Sequence, residues 1–277
     1  MTTTTSDARQ GRQVPRPLRS ASRFHADHRA FFRGLTSIVV LGIAWEVVAR
    51  TLMKHSLGLA PPSEVFHEYV RLSKNGQLGA DIKWSGLEFI YGFLLAAIVG
   101  LVVGLFMGAL RSVREYLEPI VSGVYATPVI ALAPLFILWF GIGINSKIAV
   151  VFILAVMPIV INTETGIRTV DKHLLETADA FSASKPQIFV KVMLPAALPQ
   201  IVTGLRLGVG RGLLGVVAGE LFAAQHGLGF LILFSSQLFD PAGVFVGITA
   251  LAFAGIISMV ALRRLEKKLA PWRVEEG

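Results

Sequence analysis

The sequence predicts an all-α integral membrane protein with six transmembrane helices. Hydrophobic residues make up 53% of its 277 residues and charged residues only 16%, whereas a soluble domain carries about 25% charged residues. Several apolar stretches approach the ~20 residues with which a helix spans a bilayer. A soluble all-helical protein seldom contains so many such stretches, so the membrane class is favoured.

The basic residues lie at the two ends of the chain and in short loops, although a net charge of +8 could also suggest a nucleic-acid partner. Six spans place both ends on the same side. On that side, the termini and residues 111–118 and 166–199 carry 18 Lys and Arg, against 5 on the other. Because cytoplasmic loops are enriched in Lys and Arg, we predict cytoplasmic termini and no nucleic-acid partner.

The chain divides into two polar tails and one transmembrane domain. Residues 1–33 are rich in Arg and contain Pro15 and Pro17, which predicts a disordered cytoplasmic tail whose arginines can contact anionic lipid. Residues 34–262 form the predicted six-helix domain, and residues 263–277 form a second basic cytoplasmic tail. The predicted spans are 34–53, 87–110, 119–140, 148–165, 200–222 and 244–262.

Small residues and prolines inside the spans bear on how the helices pack. Gly100, Gly104 and Gly108 share one face of the second span, and small residues at this spacing let helices approach closely in lipid. Pro128 in the third span and Pro158 in the fourth predict kinked helices. Such kinks either line a cavity or serve tight packing, and the sequence leaves both interpretations open.

Two shorter segments are predicted on the outer side. Ser63 is a predicted N-cap for an amphipathic surface helix over residues 64–72. The loop 223–240 is nearly uncharged, and its apolar residues 228–234 predict either a short surface helix or a re-entrant segment.

A polar segment, residues 166–199, interrupts the apolar second half of the chain. Its landmarks are, in order, Glu176, Thr177, Ala178, Ser182, Val192, Leu194 and Pro195. The segment resembles the EAA loop of ABC-transporter permeases, in which E-A-A, three residues, Gly, nine residues, Ile, any residue and Leu-Pro form a helix pair. The spacing is intact, while Thr177, Ser182 and Val192 depart from the pattern.

The resemblance implies that this coupling loop docks on a separate ATPase subunit. The residues implied for docking are Glu176, Ala178, Ser182, Leu194 and Pro195. Ala178 and Ser182 are expected to be small to suit a tight partner groove, and Leu194-Pro195 to end the loop. An ordinary surface helix–turn–helix is the alternative interpretation.

The resemblance extends to most of the chain and to a particular group of permeases. Matching segments are 62–65, 139–143 with 146–148, 162–163 with 166–168 and 170–171, 204–206, 219–220 and 227–229. They resemble permeases of the nitrate, sulfonate and taurine import family. This implies a type I ABC importer permease (MetI-like) fold in a bacterial inner membrane. It also implies a homodimer that acts with two cytoplasmic ATPase subunits and an external solute-binding protein.

The cargo implied by the resemblance is a small, anionic organic solute such as a sulfonate or taurine, or nitrate. Glu88 stands near the position where many members carry Arg before Gly92-Phe93, which disfavours a small inorganic anion. An aromatic acid or a pyrimidine vitamin precursor is the alternative cargo. A secondary transporter or channel without ATP and a non-transporting scaffold are alternatives of other classes; an inverted repeat typical of many secondary transporters is not evident.

Signatures of catalysis, nucleotide binding and metal binding are missing from the sequence. The dipeptide Gly-Lys of a P-loop does not occur, and the chain has no cysteine. His67-Glu68 lacks the second His of a zinc-binding helix. We therefore expect no catalytic residue, no metal and no cofactor in this chain, and ATP hydrolysis in a partner subunit.

Three charged residues lie in the fifth span, where charge is costly and marks a functional candidate. Arg206, Arg211 and Glu220 are therefore the predicted residues of the translocation path, and Arg211, nearest mid-membrane, suits an anionic cargo. A structural ion pair from Arg211 to Glu46 or Glu88 is the alternative. Arg206 lies close to the predicted cytoplasmic edge and can instead extend to the interface.

Overall fold

The computed structural model describes residues 20–51 and 58–269, and every regular element within these ranges is helical. The helices are α1 (Ser20–Thr51), α2 (Pro62–Lys74), α3 (Gln77–Ala109), α4 (Arg111–Ala126), α5 (Ala133–Phe140), α6 (Ile144–Arg168), α7 (Lys172–Ala180), α8 (Lys185–Ile188), α9 (Leu194–Ala223), α10 (Leu228–Gln237) and α11 (Pro241–Leu269). A 3₁₀ turn precedes α5, and a π-helical turn over Phe189–Met193 joins α8 to α9 without interruption.

Four described helical stretches are long and apolar enough to cross a membrane. They are 77–109, 144–168, 185–222 and 241–268, and a bent pair, 111–126 with 129–140, makes a fifth candidate span. The fourth, fifth and sixth predicted spans lie within three of these stretches, and the second predicted span extends one residue beyond the stretch 77–109. The chain is thus a multi-pass membrane protein with several apolar helices.

The first predicted span lies in α1, which belongs to a separate unit of the chain that ends at residue 54. Residues 52 and 53 of that span fall outside the described ranges, as do residues 1–19 and 270–277 of the two predicted tails. The helix α1 begins at Ser20, inside the segment predicted to be disordered. Residues 20–33 contain neither Pro nor Gly, so nothing in them stops a helix.

The third predicted span, 119–140, lies within the bent pair 111–126 and 129–140, so it is a broken span and not one continuous helix. The helices α4 and α5 meet across the 3₁₀ turn at an angle of 85°. Thr127, at the end of α4, is extended (φ −75°, ψ 137°), because a residue that precedes proline is disfavoured in the helical region. Residues 111–118, predicted as a loop, form the first half of α4, since Leu110 alone separates α4 from α3.

The helix α6 lies at the centre of the larger unit, parallel to α3 and antiparallel to α9. Gly92, Gly100, Gly104 and Gly108 of α3 face Val151, Ile159, Thr163 and Ile167 of α6. Glycines of α9, among them Gly204, Gly208, Gly215 and Gly219, face the same helix from its other side. The predicted small-residue face of α3 is confirmed, and a second one on α9 lets three helices pack at backbone distance.

Gly104→Ala is expected to destabilise the protein by about 1–3 kcal/mol, the usual cost of overpacking. A Cβ at Gly104 would lie 2.6 Å from the Thr163 Cβ and 2.7 Å from the Val160 carbonyl oxygen. Gly86→Ala, on the same helix, is the matched control because no atom lies within 4 Å of its added Cβ. Thermal unfolding in detergent separates the two variants; equal melting temperatures would contradict the close approach.

The short helices α2 and α10 cover the end of the bundle opposite the coupling loop. Among the alternatives for residues 228–234, a helix is confirmed, since α10 spans Leu228–Gln237. The helix α2 begins at Pro62 with Pro61 as its N-cap, so Ser63 lies inside its first turn and is not the predicted cap. Apolar residues of α2, α10 and α11 form one core cluster.

Candidate functional site

The three charged residues of α9 lie in three different environments. The Arg206 Nη2 donates to Glu266 Oε2 of α11 at 3.0 Å, so its charge is met by a partner and not only by the membrane interface. Arg211 is exposed beside the break between α4 and α5. Glu220 is buried near the far end of α9. They therefore form no common site.

Glu220 belongs to a buried polar cluster and not to the environment of Arg211. The Ser85 Oγ donates to Glu220 Oε1 at 2.6 Å, and the Gly229 amide donates to Glu220 Oε2 at 2.5 Å. Both carboxylate oxygens thus already have donors from α3 and α10. The place of Glu220 in the translocation path stays a prediction, while both of its oxygens are bound within the protein.

Side chains of α3 also accept hydrogen bonds from the backbone amides at the start of α10. The Gly227 amide donates to Asp81 Oδ1 and the Leu228 amide to Ser85 Oγ, each at 2.8 Å. Together with Gly229 bound to Glu220, three consecutive amides are held by side chains. The first amides of a helix have no partner within it and favour acidic acceptors, so this arrangement fixes α10 to α3 and α9.

An ion pair between α3 and α6 lies beside this cluster. The Lys147 Nζ donates to Glu88 Oε1 at 2.6 Å, and both residues are buried. Glu88 is therefore bound by Lys147 and not by Arg211, which removes one of the two alternative partners of Arg211. The acidic residue near the family's arginine position has its counter-charge within the chain.

Sequence reasoning missed Asp81, Ser85 and Lys147. Asp81, Ser85 and Glu88 have the spacing i, i+4, i+7, which places them on one face of a helix. This polar face continues into the apolar second span, and it was the signal in the sequence that could have indicated a buried polar cluster. Lys147 is one of the five Lys and Arg residues assigned to the outer side, and only the packing of α6 against α3 reveals its partner.

Arg211 lines a cavity of about 170 Å³ at the broken span. The lining also includes Thr127 and Pro128 from the break, and α6 contributes Met157 and Pro158. Non-helical backbone at membrane depth is tolerated where it is buried in protein or lines a cavity. Pro158 also has a packing role, since its carbonyl oxygen would lie 3.2 Å from a Cβ added at Gly204 of α9, so both interpretations of the proline apply.

The first half of the coupling loop is the helix α7, which ends in a turn that requires a left-handed residue. Ser182 has φ +54°. Its amide donates to the Asp179 carbonyl at 2.8 Å, and the Ala183 amide donates to the Ala178 carbonyl at 3.1 Å. This is a Schellman motif, in which glycine is preferred at the position of Ser182.

Backbone geometry therefore explains the glycine of the family's pattern. We expected a small residue at this position to suit a partner groove. A non-glycine residue in the left-handed region costs about 1–2 kcal/mol, so selection for glycine follows from the turn alone. Ser182 adopts that conformation without being glycine.

Exposed side chains on the coupling loop include both charged and large apolar groups. The Glu176 side chain is 73% exposed and lies 3.7 Å from the His173 Nδ1, and Ala178 is half-buried. Phe181 is 84% exposed, and Leu174 and Val190 are also exposed. Exposed apolar groups of this size in the polar segment 166–199 indicate a contact surface.

Leu194 and Pro195 lie within a helix that continues from Lys185 to Phe222, so they do not end the loop with a turn. The Leu194 amide donates to the Phe189 carbonyl, which closes the π-helical turn. Leu194 packs beside Ile167, Ala197 and Ile201. It therefore stabilises the base of the loop, whereas Glu176 lies on its exposed part.

Comparison with known proteins identifies the family. Residues 96–271 match the model of the binding-protein-dependent transport system inner membrane component. The chain is 35% identical to the putative aliphatic sulfonates transport permease protein SsuC of Bacillus subtilis, covering 88% of each chain. It is 32% identical to the taurine transport system permease protein TauC of Escherichia coli, covering 86% of this chain and 89% of that protein.

Another relative and a solved structure extend the comparison. The formylaminopyrimidine transport permease protein ThiX of Halalkalibacterium halodurans is 32% identical, covering 86% of this chain and 94% of that protein. A chain of the MetNI methionine ABC transporter in an inward-facing conformation has a TM-score of 0.59 at 20% identity, covering 68% of this chain and 94% of that chain. This chain therefore belongs to the binding-protein-dependent transport system inner membrane components, as a non-catalytic ABC importer permease subunit whose partner subunit hydrolyses ATP.

Proposed function

We propose that the chain forms, as a homodimer, the translocation path for an anionic organic solute of the aliphatic sulfonate or taurine class. The observation that carries this proposal is Arg211, an exposed guanidinium that lines a cavity at the broken span. A guanidinium presents several donors in a plane and binds oxyanions in two-point contacts. The apolar wall, with Met157 and Pro158, is suited to the aliphatic part of such a solute.

The relatives support this class of cargo and also the second candidate. SsuC and TauC are named for aliphatic sulfonates and taurine, whereas ThiX is named for formylaminopyrimidine. A pyrimidine precursor lacks the oxyanion that would use Arg211. An external solute-binding protein would deliver the cargo, and both termini and the coupling loop would lie in the cytoplasm.

Docking on the ATPase subunit is proposed for the exposed half of the coupling loop. Glu176 and Phe181 extend into solvent from α7 and its terminal turn. Ser182 would act by shaping that turn, with Ala178 supplying a turn carbonyl. Leu194 and Pro195 would transmit force through the continuous helix and contact no partner directly.

Arg211→Ala is expected to reduce ATP-dependent uptake of an aliphatic sulfonate at least tenfold, because a hydrogen bond to a charged group contributes about 1.5–3 kcal/mol. The measurement is uptake by liposomes that hold the permease with its ATPase subunit, supplied with its binding protein. Arg211→Lys keeps the charge and is expected to retain part of the uptake. Arg264→Ala removes an exposed cation from α11 and serves as control.

Two results would contradict the assignment of Arg211. Unchanged sulfonate uptake in Arg211→Ala would remove the residue from the path. Loss of the folded complex, seen as aggregation in size-exclusion chromatography, would instead indicate a structural role. Uptake of a pyrimidine precursor in place of sulfonate by the unmodified complex would favour the second cargo.

A further inference from the structure

A second cavity lies directly along α6 from the cavity of Arg211. The first, here called the middle chamber, is lined on α6 by residues from Ile153 to Pro158. The second, the inner chamber, measures about 220 Å³ and is lined on α6 by residues from Val160 to Glu164. The two chambers together follow α6 over about 16 Å, at 1.5 Å per residue.

Tyr125 lines both chambers. It lies near the end of α4, two residues before Thr127, where the span breaks. Its side chain is not fixed in a core, since the residue is 53% exposed. The neighbouring Ser122 lines the inner chamber and Thr127 the middle chamber, so the tyrosine stands between them along the chain as well as in space.

The two chambers differ in charge. The middle chamber contains Arg211, whereas the inner chamber contains Glu118 and Glu164. Glu164 is paired with Arg168 at 2.8 Å, which leaves Glu118 as the exposed carboxylate of the inner chamber. An anion that leaves Arg211 for the inner chamber passes from an attractive to a less attractive environment.

We propose that Tyr125 is the constriction that separates a middle chamber from an inner chamber in the translocation path. The proposal rests on the proposed function, in that the path runs through the cavity of Arg211. The break after Ala126 lets α4 move relative to α5 without either helix bending, as hinges at element ends do. Such a movement would carry the Tyr125 ring out of the passage and join the chambers.

The experiment uses engineered cysteines, which is convenient because the chain contains none. Thr127→Cys reports on the middle chamber and Ser122→Cys on the inner chamber. The permease with its ATPase subunit is placed in inside-out membrane vesicles and treated with a membrane-impermeant maleimide in the absence of ATP. Labelling rates are then compared with and without Tyr125→Ala.

We expect Tyr125→Ala to raise the labelling rate of Thr127→Cys at least tenfold and to leave that of Ser122→Cys unchanged. Tyr125→Phe keeps the ring and is expected to label at the original rate. Tyr116→Ala is the matched control, because Tyr116 is 80% exposed on the same helix and lines neither chamber. Tyr125→Leu provides a second truncation if the alanine variant does not assemble.

Equal labelling of Thr127→Cys with and without the Tyr125 ring would overturn the proposal. That result differs from a failure of the proposed function, which is read from sulfonate uptake by the Arg211 variants. Tyr125→Ala could raise the labelling rate of Thr127→Cys while Arg211→Ala transports sulfonate normally. This pair of results would support Tyr125 as the constriction and would show that Arg211 is not the anion site.

Discussion

Lys147→Met is expected to lower the free energy of unfolding by about 3–5 kcal/mol, the usual effect of removing one partner from a buried ion pair. Lys147 donates to Glu88, and both are buried between α3 and α6. Without the ammonium group, the buried Glu88 carboxylate has no counter-charge from α6. Methionine is similar in length to lysine, so the change removes charge with little loss of volume. Thermal or denaturant unfolding of the purified permease complex measures the effect.

Removing both charges tests whether the loss of stability in Lys147→Met comes from the unpaired carboxylate of Glu88. Lys147→Met combined with Glu88→Gln is expected to recover much of the lost stability, because replacing both partners is far less costly than removing one. Arg111→Ala breaks the exposed pair with Glu115 and is expected to change stability little, as surface pairs usually do. A double variant no more stable than Lys147→Met would contradict this explanation.

Phe181→Ala is expected to weaken binding of the ATPase subunit about 30-fold or more, since truncating an aromatic anchor costs at least about 2 kcal/mol. Phe181 is 84% exposed at the end of α7, beside the left-handed turn at Ser182. Its truncation therefore leaves the fold of the permease intact. The measurement is the affinity of the purified permease for its ATPase subunit, together with the amount that co-purifies in mild detergent.

Two further variants sharpen the test of the docking surface. Phe66→Ala removes another exposed aromatic, 66% exposed on α2, at the end of the bundle opposite the coupling loop, and is expected to keep the ATPase bound. Glu176→Lys reverses an exposed charge on α7. It is expected to uncouple transport from ATP hydrolysis while membrane insertion stays intact. Full ATPase binding by Phe181→Ala would remove that residue from the docking surface.

The parts of the fold that the sequence predicted well are those fixed by local pattern. Long apolar stretches predicted α3, α6, α9 and α11, and the four-residue spacing of glycines predicted the face that α3 turns to α6. Both signals are local, because bilayer thickness sets the length of a span and helix geometry sets the spacing. The ends of helices were less well predicted, since polar residues such as 111–118 can continue a helix beyond the membrane.

The broken span and the buried polar cluster depend on contacts that a single segment does not contain. Pro128 signalled a kink, but the size of the bend between α4 and α5 is set by the helices around it. Lys147 and Glu88 are 59 positions apart, and nothing local in the sequence links them. Glu220 was predicted as a path residue from its charge within a span, and nothing local in the sequence indicates that its donors come from α3 and α10.

The uninterrupted helix from Lys185 to Phe222 has a mechanical consequence. At 1.5 Å per residue it is a rod about 57 Å long, with part of the coupling loop at one end and Glu220 at the other. A tilt of about 5° at the loop would move the far end by about 5 Å. Glu220 accepts a hydrogen bond from the Gly229 amide of α10, so a movement of this helix would move α10 with it. If the ATPase subunit docks on the coupling loop as proposed, a tilt of this helix would displace the start of α10 at the opposite end of the bundle.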